Sequence, residues 1–122
     1  MKDGGEDRID IVGIGATAVI GVFDWERKVR QRVVLHLTLS SDVRRAARSD
    51  RLRDALDYKK VSKRVQGFVR KSRFRLLETL AEETARLLLA EFPARRVVVR
   101  VEKPGALRGA TTVAVTVVRS RK

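Results

Sequence analysis

Hydrophobic and polar residues alternate along four stretches of the chain, and a period of two is typical of strands with one buried face. The first stretch is rich in Val and Ile and contains glycines that can bend a strand. In the second, Val33, Leu35, Leu37 and Leu39 fall on one face and His36 on the other. The four predicted strands cover residues 8–23, 30–40, 95–103 and 111–119.

Between the second and third strands the hydrophobic period lengthens to that of a helix. The first predicted helix covers residues 57–71, with Asp57 as its N-cap. The second runs from about Leu76 to Glu91, and Pro93 ends it. Its inward-facing residues are predicted to be Leu77, Leu80, Ala81, Leu87 and Leu88.

The resulting order is strand, strand, helix, helix, strand, strand, which favours an α+β domain with an antiparallel sheet and both helices on one face. No repeat or linker divides the 122 residues, so we predict a single domain over residues 1–122, with residues 1–7 as a frayed lead-in. Such a sheet leaves its edge strands unpaired. Because subunits can cover edges by pairing with one another, we expect a homo-oligomer.

Composition narrows the possible chemistry. There are no cysteines, so disulfides and thiolate metal sites are excluded, and the lone histidine cannot build a zinc site from imidazoles. A histidine among Leu and Val in a strand is usually a packing or surface residue. No apolar run approaches the ~18 residues of a membrane span, so we expect a cytoplasmic protein.

The formal net charge of +13 raises the possibility of a nucleic-acid partner. The basic residues are spread over the whole chain, however, and aromatic residues make up only 5% of it, so no platform for base stacking is evident. A nucleic-acid or anion-binding module is therefore the disfavoured alternative.

Few groups suited to catalysis remain. The segment "GIGATAVIG" carries glycines like those of a dinucleotide-binding loop, but a strand follows it where a helix is required. Four polar residues lie at the ends of elements: Glu26, Tyr58, Glu78 and Lys103. Each also has a purely structural explanation; Glu78, for example, suits the helix dipole without any ligand. The spacing of these residues therefore identifies candidate polar groups but does not assign them a role.

These four residues lie in segments that resemble the dihydroneopterin aldolase family. The segments are "IGVFDWERKVRQ", "ALDYKKV", "RFRLLETLAEETARLLL" and "VEKPGAL", and the resemblance extends from about Arg8 to Arg119. It implies the tunnelling fold, in which subunits close edge to edge into a ring or barrel and two rings stack as an octamer. A tetrameric ring or an octamer is therefore expected.

The resemblance also implies an activity. The enzyme would cleave 7,8-dihydroneopterin by a retro-aldol reaction into 6-hydroxymethyl-7,8-dihydropterin and glycolaldehyde, a step of folate synthesis. No cofactor and no metal are implied, because the C=N bond of the dihydropterin can accept the electrons.

The family's residue roles carry over to matching positions. Lys103 would be the general base, which requires that burial or a nearby cation lower the pKa of the lysine. Glu78 and the backbone at Leu77 would bind the pterin edge. Tyr58 would pack on the pterin of a neighbouring subunit and relay a proton, and Glu26 would hold the trihydroxypropyl chain or a water.

An epimerase that inverts C2′ of dihydroneopterin or its triphosphate is the alternative within the family. The segment "ALRGATTVAV" resembles that subgroup, whereas "VFDWE" and "KPGA" resemble the aldolases.

Overall fold

The computed structural model describes residues 7–121, and the rest of the predicted lead-in, residues 1–6, lies outside the described residues. Short 3₁₀ turns occur at Glu26–Lys28 and Leu52–Asp54. The helices and strands, in chain order, are β1 (Arg8–Ala18), β2 (Gln31–Ser40), α1 (Arg44–Ser49), α2 (Tyr58–Lys71), α3 (Leu77–Glu91), β3 (Arg96–Pro104) and β4 (Thr112–Ser120).

The four strands form one antiparallel sheet in the order β1-β2-β3-β4. The predicted α+β architecture is thus confirmed. A bulge interrupts β1 at Gly13, whose φ of 81° suits glycine, and the Gly13 N–H donates to Nδ1 of His36 at 3.1 Å. His36 therefore supports the sheet, and its Nε2 lies 3.1 Å from the Glu102 carboxylate.

The hydrophobic core lies between one face of the sheet and helices α2 and α3. Alternate residues of β2 and β3 are fully or almost fully buried there, each contributing on the order of 1.5–3 kcal/mol to stability. These residues are Val33, Leu35, Leu37, Leu39, Val97, Val99 and Val101. None of the helices within residues 7–121 is long and apolar enough to cross a membrane.

The first strand ends earlier than predicted. It stops at Ala18, whereas the apolar run continues to Phe23. Val19 and Ile20 are buried outside the sheet, and the chain then turns at Gly21, where φ is 123° and the N–H donates to the Arg75 carbonyl at 3.0 Å. Burial in a loop explains a hydrophobic run that resembles strand.

Helices α2 and α3 lie where the sequence predicts them. Asp57 caps α2, and its carboxylate accepts hydrogen bonds from the N–H groups of Lys59 and Lys60. Helix α1 was not predicted, because it has only six residues and buries none of them, so it leaves no periodic pattern.

Candidate active site

A buried ion pair joins the loop after β1 to the end of β3. The Lys103 Nζ lies 2.8 Å from Oε2 of Glu26, and the two side chains are only 12% and 9% exposed. Glu26 belongs to the turn Glu26–Lys28, and Lys103 is the penultimate residue of its strand. The structure thus brings together two of the predicted site residues, which are 77 positions apart.

The loop is shaped around the Glu26 carboxylate. Its Oε1 accepts a hydrogen bond from the Phe23 N–H at 3.1 Å, and its Oε2 accepts a longer one, 3.4 Å, from the Gln31 side chain. A Cβ atom at Gly21 would lie 2.2 Å from Cδ of Glu26. Only glycine therefore leaves room for the carboxylate, and its positive φ adds a second reason for glycine at this position.

The charge beside Lys103 differs from the one expected. Burial or a nearby cation was expected; the lysine is buried, but the adjacent group is a carboxylate. The Lys103 ammonium, together with the Phe23 N–H and the Gln31 amide, holds the pKa of Glu26 below its ordinary value of 4.5, and burial opposes this shift. Glu26 is therefore ionised at neutral pH.

The guanidinium of Arg27 clamps this loop onto the segment between α2 and α3. One nitrogen donates to the carbonyls of Gly21 (2.9 Å) and Phe74 (3.1 Å), and the other donates to the Arg73 carbonyl. A guanidinium can serve several acceptors at once because its donors are held in a rigid plane. The clamp fixes the Glu26 loop beside the residues that lead into α3.

Helix α3 begins immediately beyond this clamp. No side chain caps its first turn, where the helix dipole leaves partial positive charge. The Glu78 side chain is exposed and has no ion-pair or hydrogen-bond partner within residues 7–121, and Leu77 is half-buried against the core. The first turn of α3 thus combines a carboxylate acceptor with backbone donors at the same end of the sheet as Lys103.

Tyr58 lies elsewhere. It opens α2, and the opposite end of that helix, followed by Arg73, meets the clamp. A helix of 14 residues is about 20 Å long, so Tyr58 is about that far from the Glu26 loop within one chain. Tyr58 is 64% exposed and borders an apolar pocket of about 570 Å³ with Leu52 and Leu56.

Three residues that shape the site were not singled out from the sequence: Gly21, Arg27 and Gln31. The available signal was the glycine that ends the apolar run before Glu26. The loop also turns Val22, Phe23 and Trp25 outward, where they are 49–63% exposed, while its glutamate points inward. This inversion of ordinary burial makes the loop a candidate functional segment.

Comparison with known proteins identifies a family that this sequence matches. The family model described as FolB, dihydroneopterin aldolase, matches residues 9–118. Dihydroneopterin aldolase from Escherichia coli (strain K12) is 38% identical over 113 residues, which cover 93% of each chain.

Solved structures of two similar proteins have the same fold as this chain. A FolB protein from Vibrio cholerae superimposes with a TM-score of 0.92 at 39% identity and covers 94% of this chain and 98% of its own. The E. coli dihydroneopterin aldolase in complex with neopterin gives a TM-score of 0.91 at 38% identity, and the match covers 93% of this chain and 99% of that one.

A dihydroneopterin triphosphate 2′-epimerase from Pseudomonas aeruginosa is also similar in sequence. It is 30% identical over 96% of this chain and 95% of its own.

The first prediction concerns the ion pair. Because the folded-state pKa of Glu26 is lowered, its carboxylate stabilises the fold above pH 4.5, and this contribution is lost as the pH falls through the folded-state pKa. Glu26→Gln should cost about 3 kcal/mol of unfolding free energy at pH 7, because it leaves the Lys103 ammonium buried without a counter-charge. Chemical denaturation across pH should show this loss shrinking below pH 4.5.

The matched control is Glu91→Gln, which removes the carboxylate from the exposed pair with Arg64. This control should destabilise much less at pH 7, because exposed pairs contribute little. Equal losses for the two variants, or a Glu26→Gln effect that does not change with pH, would contradict the account.

The second prediction concerns the clamp. Arg27→Met removes charge-assisted hydrogen bonds to three carbonyls and should destabilise the fold by about 1.5–3 kcal/mol. Native-state hydrogen exchange should show faster exchange at the Gly21 amide, which bonds to Arg75 across the same junction. Arg53→Met, at an exposed position, is the control. If Gly21 exchanges equally slowly in both variants, Arg27 does not hold the junction.

Proposed function

The chain belongs to the dihydroneopterin aldolase family, and from this premise we propose how its residues cleave 7,8-dihydroneopterin. The products are 6-hydroxymethyl-7,8-dihydropterin and glycolaldehyde, and the reaction is a step of folate biosynthesis. The observation that carries the proposal is the buried Lys103–Glu26 pair, held at the same end of the sheet as the first turn of α3.

The first turn of α3 binds the pterin in this proposal. Glu78 accepts two parallel hydrogen bonds, from the pterin amino group and the adjacent ring N–H, in the manner of a carboxylate with a guanidinium. The backbone at Leu77 completes recognition of the ring edge. The neopterin complex of the E. coli relative supports a pterin ligand for this family member.

Lys103 and Glu26 act on the three-carbon side chain of the substrate. The base takes the proton of the C2′ hydroxyl, directly or through a water, and the C2′–O bond becomes a carbonyl as the C1′–C2′ bond breaks. The electrons of the broken bond pass into the C=N bond of the dihydropterin, and glycolaldehyde leaves. A proton returned to C1′ then gives the hydroxymethyl product, so the acid/base pair ends as it began.

The two side chains divide this work. The Lys103 Nζ donates a hydrogen bond to Oε2 of Glu26 at 2.8 Å, which holds it beside the site of proton transfer. Lys103 is the group that exchanges the proton with the substrate in this proposal, and the ionised Glu26 carboxylate orients it. We therefore treat the pair as one acid/base unit, with Glu26 also holding the substrate hydroxyls or a water.

The complete site requires more than one subunit in this proposal. Tyr58, about 20 Å from the Glu26 loop in its own chain, reaches the pterin of a neighbouring copy, where its ring packs and its hydroxyl relays a proton. The edge strands β1 and β4 are free to pair between copies, which supports a closed ring of four or a stacked octamer. The cytoplasm stays the expected compartment.

The epimerase relative gives a second activity some support. Epimerisation shares the retro-aldol intermediate and differs in that glycolaldehyde re-adds before it leaves. We propose it as a side activity of the same residues.

The third prediction tests the residue roles. Lys103→Met should lower kcat at least about a hundredfold, since general acid–base catalysis contributes 10²–10⁴, while a bound pterin is retained. Glu78→Gln should instead weaken pterin binding at least about tenfold, because it removes one charge-assisted interaction. Chromatography of the products and a binding titration with neopterin measure the two effects separately.

The control is Glu83→Gln on the same helix, which should change neither quantity much. If Lys103→Met cleaves dihydroneopterin at the normal rate, Lys103 is not the catalytic group. If the protein returns only the C2′ epimer, epimerase is the main activity.

The fourth prediction tests the shared site. Lys103→Met and Tyr58→Ala proteins, each nearly inactive alone, are unfolded together and refolded as mixed oligomers. About one site in four should then combine an intact Lys103 with an intact Tyr58 from the neighbour. Activity should recover to about that fraction. No recovery from oligomers shown by native mass spectrometry to be mixed would place both residues on one chain's site.

A further inference from the structure

A polar pocket of about 680 Å³ lies at the end of the sheet remote from Lys103. It opens on the sheet face that the helices leave uncovered, because Arg96 and Val98 alternate with the buried Val97 and Val99. The strand register places a row of four neighbouring residues across the floor of this pocket. The row consists of Arg8, Ser40, Arg96 and Ser120, one residue from each strand.

Two further arginines extend this row into what we name the arginine–serine pocket, formed by Arg8, Ser40, Arg95, Arg96, Ser120 and Arg121. The Arg121 guanidinium is fixed by hydrogen bonds to the carbonyls of Phe92 and Ala94, both at 2.9 Å. Its position is therefore set without any ligand.

Arg95 and Arg96 have unused donors. Neither side chain makes an ion pair or hydrogen bond to another of the described residues, 7–121. Many other arginines are paired: Arg64 with Glu91, Arg119 with Glu82, and Arg45 with Asp54. Arg95 and Arg96 thus bring two cations without a carboxylate partner among residues 7–121 into the lining of one pocket.

The pocket also contains two carboxylates, and both have partners. Asp10 accepts a hydrogen bond from the Thr38 hydroxyl at 2.6 Å and lies 3.9 Å from Arg8. Asp7 accepts the Val43 N–H at 3.2 Å. Four arginines against two aspartates leave the pocket with an excess of positive charge.

This pocket is separate from the proposed active site. Lys103 lies seven positions after Arg96 in β3, which corresponds to about 23 Å along the strand. The two side chains lie on opposite faces of the sheet. One pterin molecule bound at Glu78 and Lys103 does not reach the arginine–serine pocket of the same chain. The ligand of the pocket is therefore a second molecule.

We propose that the arginine–serine pocket binds a ligand with linked phosphate groups. Arginine donates two parallel hydrogen bonds to a phosphate, and serine hydroxyls are common phosphate partners. The row crosses three strand spacings, about 14 Å, so a single phosphate does not contact both ends, whereas a chain of phosphates contacts several donors. The phosphates can be inorganic or belong to a nucleotide, since the chemistry that binds them is the same.

The test is a calorimetric titration of the full-length protein with inorganic tripolyphosphate, with orthophosphate and a nucleoside triphosphate as further arms. We expect saturable tripolyphosphate binding, weaker binding of orthophosphate, and at least about tenfold weaker tripolyphosphate binding in Arg95→Gln/Arg96→Gln, which removes charge-assisted hydrogen bonds. Ser120→Asp, which adds a negative charge at the exposed end of β4, should weaken binding independently of the arginines.

The matched control is Arg53→Gln/Arg70→Gln, which removes the same charge from exposed positions outside the pocket. Equal weakening by both double variants would overturn the proposal in favour of a diffuse effect of charge. Tight, pocket-dependent binding of a single-stranded oligonucleotide without binding of tripolyphosphate would overturn it in favour of nucleic acid. Tighter binding of the nucleoside triphosphate than of tripolyphosphate would support a nucleotide as the source.

Failure of this proposal is distinguishable from failure of the proposed function. Lys103→Met should bind tripolyphosphate normally, and Arg95→Gln/Arg96→Gln should cleave dihydroneopterin normally.

Discussion

The ion pair between Glu26 and Lys103 is the constraint on which the rest of the site depends. Removing two charges from water costs several kcal/mol per ion, and only close geometry with additional hydrogen bonds offsets that cost. The loop supplies these bonds through the Phe23 N–H and Gln31. It also requires a glycine at position 21, where any Cβ would overlap the carboxylate. A buried charge pair thus determines the shape of the loop over residues 19–30.

The clamp at Arg27 connects this loop to the helix that binds the pterin in our proposal. Without it, the hydrogen bond from the Gly21 N–H to the Arg75 carbonyl and the core would still join the acid/base pair to the first turn of α3, but the side-chain link would be lost. Three carbonyl acceptors on two segments make the guanidinium a rigid spacer between the reacting end of the substrate and its recognised edge. Catalysis by position requires such rigidity, because small displacements of reacting groups lower rates steeply.

Periodicity predicted most of the fold but little of the site. Strands β2 and β3 and helices α2 and α3 each bury one face, and β4 packs the half-buried Val115 and Val117 against the core, so their spacing identified them to within one or two residues. The end of β1 was wrong, because residues 19 and 20 are buried in a loop and resemble strand. The direct ion pair between Glu26 and Lys103 was not predicted either, because the contact joins positions 77 apart and leaves no local pattern. Glu26, Tyr58, Leu77, Glu78 and Lys103 were named as a site only through the family resemblance.

The most direct measurement of the central claim is a crystal structure of the assembled protein with a bound pterin product. The account predicts the pterin edge on the Glu78 carboxylate, the C1′ substituent directed toward the Lys103–Glu26 pair, and Tyr58 of a second copy against the ring. A pterin bound far from the pair, or bound with its side chain directed away from Lys103, would contradict it.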